Sequence, residues 1–372
     1  MNNPLCATEE GTARYRERFA EKLAPEHFRR LQNLWVSSIG LGTYLGNHDE
    51  RTDALYRQAI LRAVTLGCNF IDTAINYRFQ RSERNLGEAL QSLFKDGKVS
   101  RDEIVIATKG GFIPFDSAPP ANPNAYLMET FVKPGIITSR SEIAAGCHCM
   151  SPKYLQNQID TSLRNLQLEC VDIYYLHNPE TQLEEVSRDE FLRRLGAAFE
   201  TLEENVARGK IKMYGTATWN GYRVRPSAIE YLSLQEIVNV AKSVAGDQHH
   251  FRVVQLPHNL GMAEAFTYAN QKVDGESLSL LEAAERLGIS VVASASILQG
   301  RLSYNLPDAI AETFDGLQTD AQRSIQFVRS TPGLTAALIG MKNSSHVEEN
   351  MKVATLPPAP PDKFMSLFTR DA

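Results

Sequence analysis

Short apolar runs recur along the chain, and most are continuous rather than alternating. They are VSSIGLGT (36–43), FIDTA (70–74), IVIATK (104–109) and VDIYYLH (171–177). Four more follow: IKMYGTAT (211–218), RVVQLP (252–257), SVVASAS (290–296) and TAALIG (335–340). A strand that is apolar on both sides of its pleat is covered on both faces, as in a parallel sheet. Between the runs lie helical patterns such as YRQAILRAVTLG (56–67), YLQNQIDTSLRNL (154–166) and SLLEAAERLG (279–288). Eight strands alternating with helices in one series predict closure into an α/β barrel, a (β/α)8 TIM barrel, rather than an open doubly wound sheet.

The connections carry the same message. Turns from helix into strand are tight, and LGCN and LGIS place Gly67 and Gly288 where a helix C-terminus favours a left-handed residue. Connections from strand into helix are long. Residues 110–150 put 41 residues, rich in Pro, Gly and Asn, between the third strand and its helix. Enlarged loops confined to one end of a parallel barrel are where such folds build a site. The expected organisation is a charged helical extension (1–35), a barrel (36–356) with the insertion 110–150, and a C-terminal tail (357–372).

Composition narrows the setting. Among 372 residues, 39 basic and 44 acidic side chains give a net charge of −5, which offers no surface for nucleic acid. No run approaches the ~18 apolar residues of a membrane span, and MNNPLCATEEG lacks a signal-peptide pattern. Five scattered cysteines favour free thiols in a reducing compartment, so a cytoplasmic protein is expected.

Two motifs mislead. GLGTYLG (40–46) spaces its glycines one residue too widely for a dinucleotide fingerprint, and no helix starts there. Cys147-His148-Cys149 lacks the paired spacing and fourth ligand of a structural zinc site, so no metal is expected.

The chemistry lies at strand tips. Asp72 ends the second strand and Tyr77 follows in the next loop; Lys109 ends IVIATK and His177 ends VDIYYLH. Each alone has a bland reading as a cap, a snorkelling lysine or a core histidine. Four at consecutive strand ends of a barrel converge on one face. They suit proton delivery to a carbonyl. A phenol with a pKa near ~10 is a sluggish acid. An ammonium about 4 Å away, worth about 4 kcal/mol at an effective dielectric of ~20, would acidify it. A buried lysine needs a paired carboxylate to stay cationic, which is the role expected of Asp72. His177 can orient the substrate oxygen.

At these positions the sequence resembles the aldo-keto reductase superfamily, over about residues 36–353. The markers are IGLGT, IDTAINY followed by SERNLGEAL, IATKGG, VDIYYLHNPE, GKIKMYG, VVQLPHN and ALIGMKNSSHVEEN. The resemblance implies hydride transfer from NADPH, with NADH the lesser alternative, to a small-molecule carbonyl. Tyr77 would be the general acid, Lys109 and Asp72 would tune it, and His177 would orient the carbonyl. It implies cofactor contacts from Gly42, Thr43, Asp72, Thr218, Gln255, Ser294 and Gly340. Lys342, Asn343 and His346 would lie by the 2′-phosphate, and Glu349 and Asn350 by the adenine. Three departures stand out. Ala217-Thr218 replaces the family's Ser-Asn pair, Ser294 an aromatic, and Arg78 the glycine after the tyrosine. Arg78 would either bind an anionic substrate group or lie in solvent, while Trp219 and Tyr222 would supply a replacement stack or pack. The long insertion would make room for a bulky metabolite or form a homo-oligomer contact. Two other readings remain open: a nucleotide-sensing regulatory subunit with little turnover, and a redox-neutral lyase or epimerase using bound NADP.

Overall fold

The computed structural model describes residues 4–369; residues 1–3 of the expected extension and 370–372 of the expected tail lie outside the described residues. Eight parallel strands close into a barrel. They are β1 (Ile39–Gly42), β2 (Phe70–Asp72), β3 (Val105–Gly110), β4 (Val171–His177), β5 (Ile211–Ala217), β6 (Phe251–Pro257), β7 (Ser290–Ser294) and β8 (Leu334–Gly340). Neighbours in sequence are neighbours in the sheet, and β8 closes on β1 with Ala337 opposite Ile39 and Gly340 opposite Gly42. All eight strand expectations fall on these strands. The (β/α)8 TIM barrel is therefore the fold.

The barrel interior explains where the chemistry sits. Side chains along a strand alternate between faces. Phe70, Val105, Ala107, Ile173, Tyr175, Met213, Val253, Val292, Ala336 and Leu338 form one buried interior cluster. Two residues further along their strands come Asp72, Lys109, His177, Gln255, Ser294 and Gly340. The uppermost inward layer is thus polar where the layers beneath it are apolar. Outward residues such as Leu41, Ile71, Ile106 and Leu176 join a separate cluster with the helices.

Those helices start on local signals, a side-chain cap in some and a proline in the first turn in another. Asp49 caps α1 (Glu50–Thr65) by accepting the Thr52 N–H at 2.7 Å. Pro152 occupies the first turn of α2 (Pro152–Leu166), where its missing N–H costs nothing, and Gln167 ends the helix left-handed. Near the C-terminus, Phe364 of α3 (Pro361–Thr369) packs 5.4 Å from Phe327 and 5.7 Å from Phe266.

The extension differs from expectation. It is helical over Glu9–Glu17, but Phe28–Leu31 and Leu34–Ser37 form an antiparallel hairpin. The run 36–43 is therefore not one strand: Val36 and Ser37 end the hairpin, and the barrel strand begins at Ile39. Leu31, Leu34 and Val36 are fully buried against Phe70, Val105 and Ile173, so the hairpin stoppers the barrel at the end opposite the polar layer.

The insertion 110–150 is structured. It holds a short helix (Pro123–Leu127) and a two-residue ladder of Ile143–Ala144 with His148–Cys149. Phe131, Ile137 and Cys149 pack on Tyr154 of α2 in a small core of their own.

Candidate active site

The carboxylate of Asp72 and the ammonium of Lys109 meet at 2.5 Å beneath the mouth of the barrel, 4% and 1% exposed. Lys109 Nζ also donates to the Thr73 carbonyl at 2.8 Å, and Gln255 Nε2 donates to the other Asp72 oxygen at 2.8 Å. Burial pushes the Asp72 carboxyl up and the Lys109 ammonium down, while their contact opposes both shifts. Backbone bonds from Thr73 to Ala107 and from Ile75 to Lys109 continue the ladder past Asp72 and hang the next loop on β3. That loop carries Tyr77, whose ring centroid lies 4.9 Å from Lys109 Nζ. The rings of Tyr44 and His177 meet Tyr77 edge-on, at 4.9 and 5.8 Å.

All four residues thus converge, but the electrostatics differ from the expectation of an acidified phenol. The Tyr77 phenol is pushed well above 10, first by burial and then by the Asp72 charge. Asp72 neutralises much of what Lys109 would offer. His177 is held well below its usual range, first by burial and then by Lys109, so its imidazole is neutral. Its Nδ1 is buried with no hydrogen-bond partner among the described residues.

The insertion reaches this site directly. Gln182 Nε2 donates to His148 Nδ1 at 2.9 Å, which leaves His148 Nε2–H to donate to the His177 carbonyl at 2.8 Å. Both ring nitrogens of His148 are therefore committed to structure. Phe112 stands between the two imidazoles, edge-on at 5.3 and 5.0 Å. Gly111 permits the approach: it has φ +140°, and a Cβ there would lie 2.7 Å from His148 Nε2.

A cavity of about 710 Å³ opens above the polar layer. Of the residues expected from the sequence, Gly42, Thr43, Asp72, Tyr77, His177, Thr218, Gln255, Ser294, Gly340, Lys342 and His346 line it. Lys109 lies beneath the floor. Asn343, Glu349 and Asn350 do not line the cavity. Asn343 stands at the start of the helix Ser344–Met351, Glu349 accepts the Thr319 hydroxyl at 2.7 Å, and Asn350 is buried. Tyr44, Leu45, Asn76, Phe112, Asn178, Trp219 and Ile297 also form the wall. Their loop positions were legible, but nothing in the sequence sets which loop side chains turn inward.

The wall after β5 has its own support. Glu180, buried beyond β4, accepts the Trp219, Asn220 and Gly221 N–H groups on Oε1 at 2.7, 3.2 and 3.4 Å. Its Oε2 is buried without a partner among the described residues, and burial pushes the carboxyl up to about 7. Tyr222 is buried, its hydroxyl 2.7 Å from Thr216 Oγ1, so it packs rather than faces the cavity. Trp219, by contrast, borders it.

The donor set fits a nicotinamide dinucleotide. Thr218 Oγ1 is buried at one side of the cavity without a partner among the described residues, as a seat for an amide requires. Lys342 and His346 offer donors for an anion at another. Gln255 has its amide nitrogen committed to Asp72 and keeps its carbonyl as a further acceptor.

A barrel with a polar upper layer of this kind has relatives. A family model described as the Aldo/keto reductase family matches residues 38–367. The chain belongs to that family. It is 28% identical over 213 residues to the aldo-keto reductase yakc (NADP(+)) of Schizosaccharomyces pombe, covering 55% of this chain and 48% of that protein. It is 26% identical over 210 residues to the NADH-specific methylglyoxal reductase of Escherichia coli, covering 55% and 54%. The chain thus spans about half the length of these curated relatives. In structure it matches an aldo/keto reductase from Klebsiella pneumoniae in complex with NADP and acetate. That likeness has a TM-score of 0.61 at 20% identity over 94% of this chain and 98% of that one, and it establishes the fold. Among the described residues no helix is long and apolar enough to cross a membrane.

Proposed function

We propose that this chain reduces an aldehyde or ketone using NADPH, or runs the reverse alcohol oxidation, with Tyr77 as the proton donor. The observation that carries this reading is the Asp72–Lys109 pair, closed at 2.5 Å beneath a phenol that borders a large cavity. Family membership and a relative whose name specifies NADP(+) support it.

Each residue then has a physical task. Tyr77, with its pKa raised, is fully protonated at neutral pH and so holds a proton to give to the carbonyl oxygen. Lys109 cannot acidify the resting phenol, but its ammonium lies where phenolate charge develops as that proton leaves. Asp72 keeps Lys109 cationic in a site that would otherwise strip its proton. Neutral His177 orients the carbonyl by hydrogen bonding. The reduced nicotinamide supplies the hydride when bound. Gly42, Thr43, Thr218, Gln255, Ser294 and Gly340 would hold its inner part. Lys342 and His346, which line the cavity, would hold the 2′-phosphate, whereas Asn343, Glu349 and Asn350 lie outside its wall. Phe112 brings the insertion into the wall, which supports a bulky carbonyl substrate.

Tyr77→Phe is expected to lower carbonyl reduction at least ~10²-fold while leaving NADPH affinity nearly unchanged. Wild-type turnover in that variant would remove Tyr77 from the chemistry. Losing a charged hydrogen bond worth about 1.5–3 kcal/mol, Lys342→Ala should weaken NADPH binding roughly ten- to a hundredfold and NADH binding much less. Fluorescence titration with both nucleotides reads this. Equal losses would take Lys342 away from the phosphate.

A further inference from the structure

Directly after Tyr77 the backbone does something unusual for residues that carry side chains. Arg78, Phe79 and Gln80 all adopt left-handed geometry, with φ of 49°, 58° and 69°. Each such position is disfavoured for a non-glycine residue, and three in succession persist only where the surroundings fix them. The surroundings here are two loops of the cavity wall. Phe79 packs edge-on against His48 at 5.1 Å and stacks toward Phe115 at 6.3 Å, and its carbonyl accepts the Ser117 N–H at 2.9 Å. Gln80 Nε2 donates to the Phe115 carbonyl at 3.2 Å.

Arg78 makes the other connection. Its side chain is 1% exposed, so it neither lies in solvent nor reaches the cavity to bind an anionic substrate group. Nε donates to the Asn47 carbonyl at 2.8 Å and Nη2 to Asp53 Oδ1 at 2.5 Å, with the guanidinium 5.2 Å from the centre of the Tyr56 ring. The Tyr56 hydroxyl donates to the Leu45 carbonyl at 2.5 Å. Tyr44, on the same loop, meets the Tyr77 ring edge-on. A planar fork can hold a carbonyl and a carboxylate at once in fixed relation, which a point charge cannot.

We propose that Arg78 is a positioning residue for Tyr77, clamping the Tyr44–Asn47 loop to the turn that carries the phenol and so fixing the phenol over Lys109 and beside His177. This rests on the reading of Tyr77 as proton donor. A glycine at 78 would adopt φ 49° freely, and Asp53 would keep Asn85 at 2.6 Å and Arg81 as partners. Arg78→Gly therefore removes the clamp while leaving the fold a way to close.

The test compares wild type, Arg78→Gly and Arg78→Lys, each labelled with 3-fluorotyrosine. The Tyr77 fluorine resonance is assigned by its loss in Tyr77→Phe. Turnover is followed with NADPH and 4-nitrobenzaldehyde as the probe. Arg78→Gly should melt near wild type, bind NADPH with nearly wild-type affinity, and shift or broaden the Tyr77 resonance. Its kcat should fall about tenfold or more with KM little changed, since a misplaced donor costs rate rather than binding. Arg78→Lys should fall between. A Tyr77 resonance unmoved in both variants overturns the proposal, as does wild-type kcat in Arg78→Gly. Should Arg78→Gly fail to fold, Arg78→Lys decides by the same two readouts. Wild type that binds NADPH without turning over, yet shows the resonance shift in the variants, would sink the reductase reading and leave the clamp standing.

Discussion

Glu180 shows how one side chain can link the site to pH. Its carboxyl is pushed up to about 7, above the ~4.3 of an exposed glutamate, because burial outweighs the three N–H groups that hold Oε1. An acid whose folded pKa is raised contributes stability that is complete below the unfolded value and is lost as pH rises through the folded one. Between about pH 4 and 7 the protein should therefore lose about 3 kcal/mol through this group. Glu180→Gln cannot titrate and should remove that part of the slope. Urea unfolding of both proteins at pH 5 and pH 8 measures it, and equal slopes would show that Glu180 does not titrate in this range. At this scale the sequence was most legible where backbone period set the outcome. Asp72, Lys109 and His177 each lie two residues beyond an inward apolar residue, so the pleat alone directs them inward. Arg78 was not legible, because neither its φ nor the partner waiting at Asp53 can be read from YRFQ.

The insertion 110–150 illustrates how an element couples to chemistry. Its length marked it in the sequence, and its own core and ladder explain why it holds a shape. Its link to the site was hidden, because His148 sat in a motif that looked like a poor metal site. The link depends on Gly111, where a Cβ would crowd both His148 Nε2 and the His177 carbonyl. Gly111→Ala should cost about 1–3 kcal/mol, from strain at positive φ together with displacement of His148. It should also lower turnover, since the His177 backbone would move. Denaturant midpoints and kcat on the same preparation would check this, and a variant as stable and as active as wild type would show that the insertion is not braced there.

At the scale of the molecule, the two ends of the barrel divide the labour: the hairpin seals one and the polar layer works at the other. Leu34→Ala should cost roughly 2–5 kcal/mol by leaving a cavity in the interior cluster. Because that cluster lies beneath the site, kcat below the melting temperature should stay at the wild-type value; a large fall in kcat without a loss of stability would contradict this division. The barrel itself was legible in the eight apolar runs. The hairpin was not, because LQNL lacks a strong turn dipeptide and VSSIGLGT runs unbroken through the junction at Ser38. The stopper also has a bearing on how the chain is made. Ala7 binds the Asp172 carboxylate across 165 residues and accepts from Lys212 across 205. The segment around Ala7 must wait for β4 and β5 before these bonds can close, and Leu31, Leu34 and Val36 lack part of their cover until the strands they pack on are present. The hairpin is thus made before the strands it seals against and seated after them, an order imposed by the long sequence separation of its contacts.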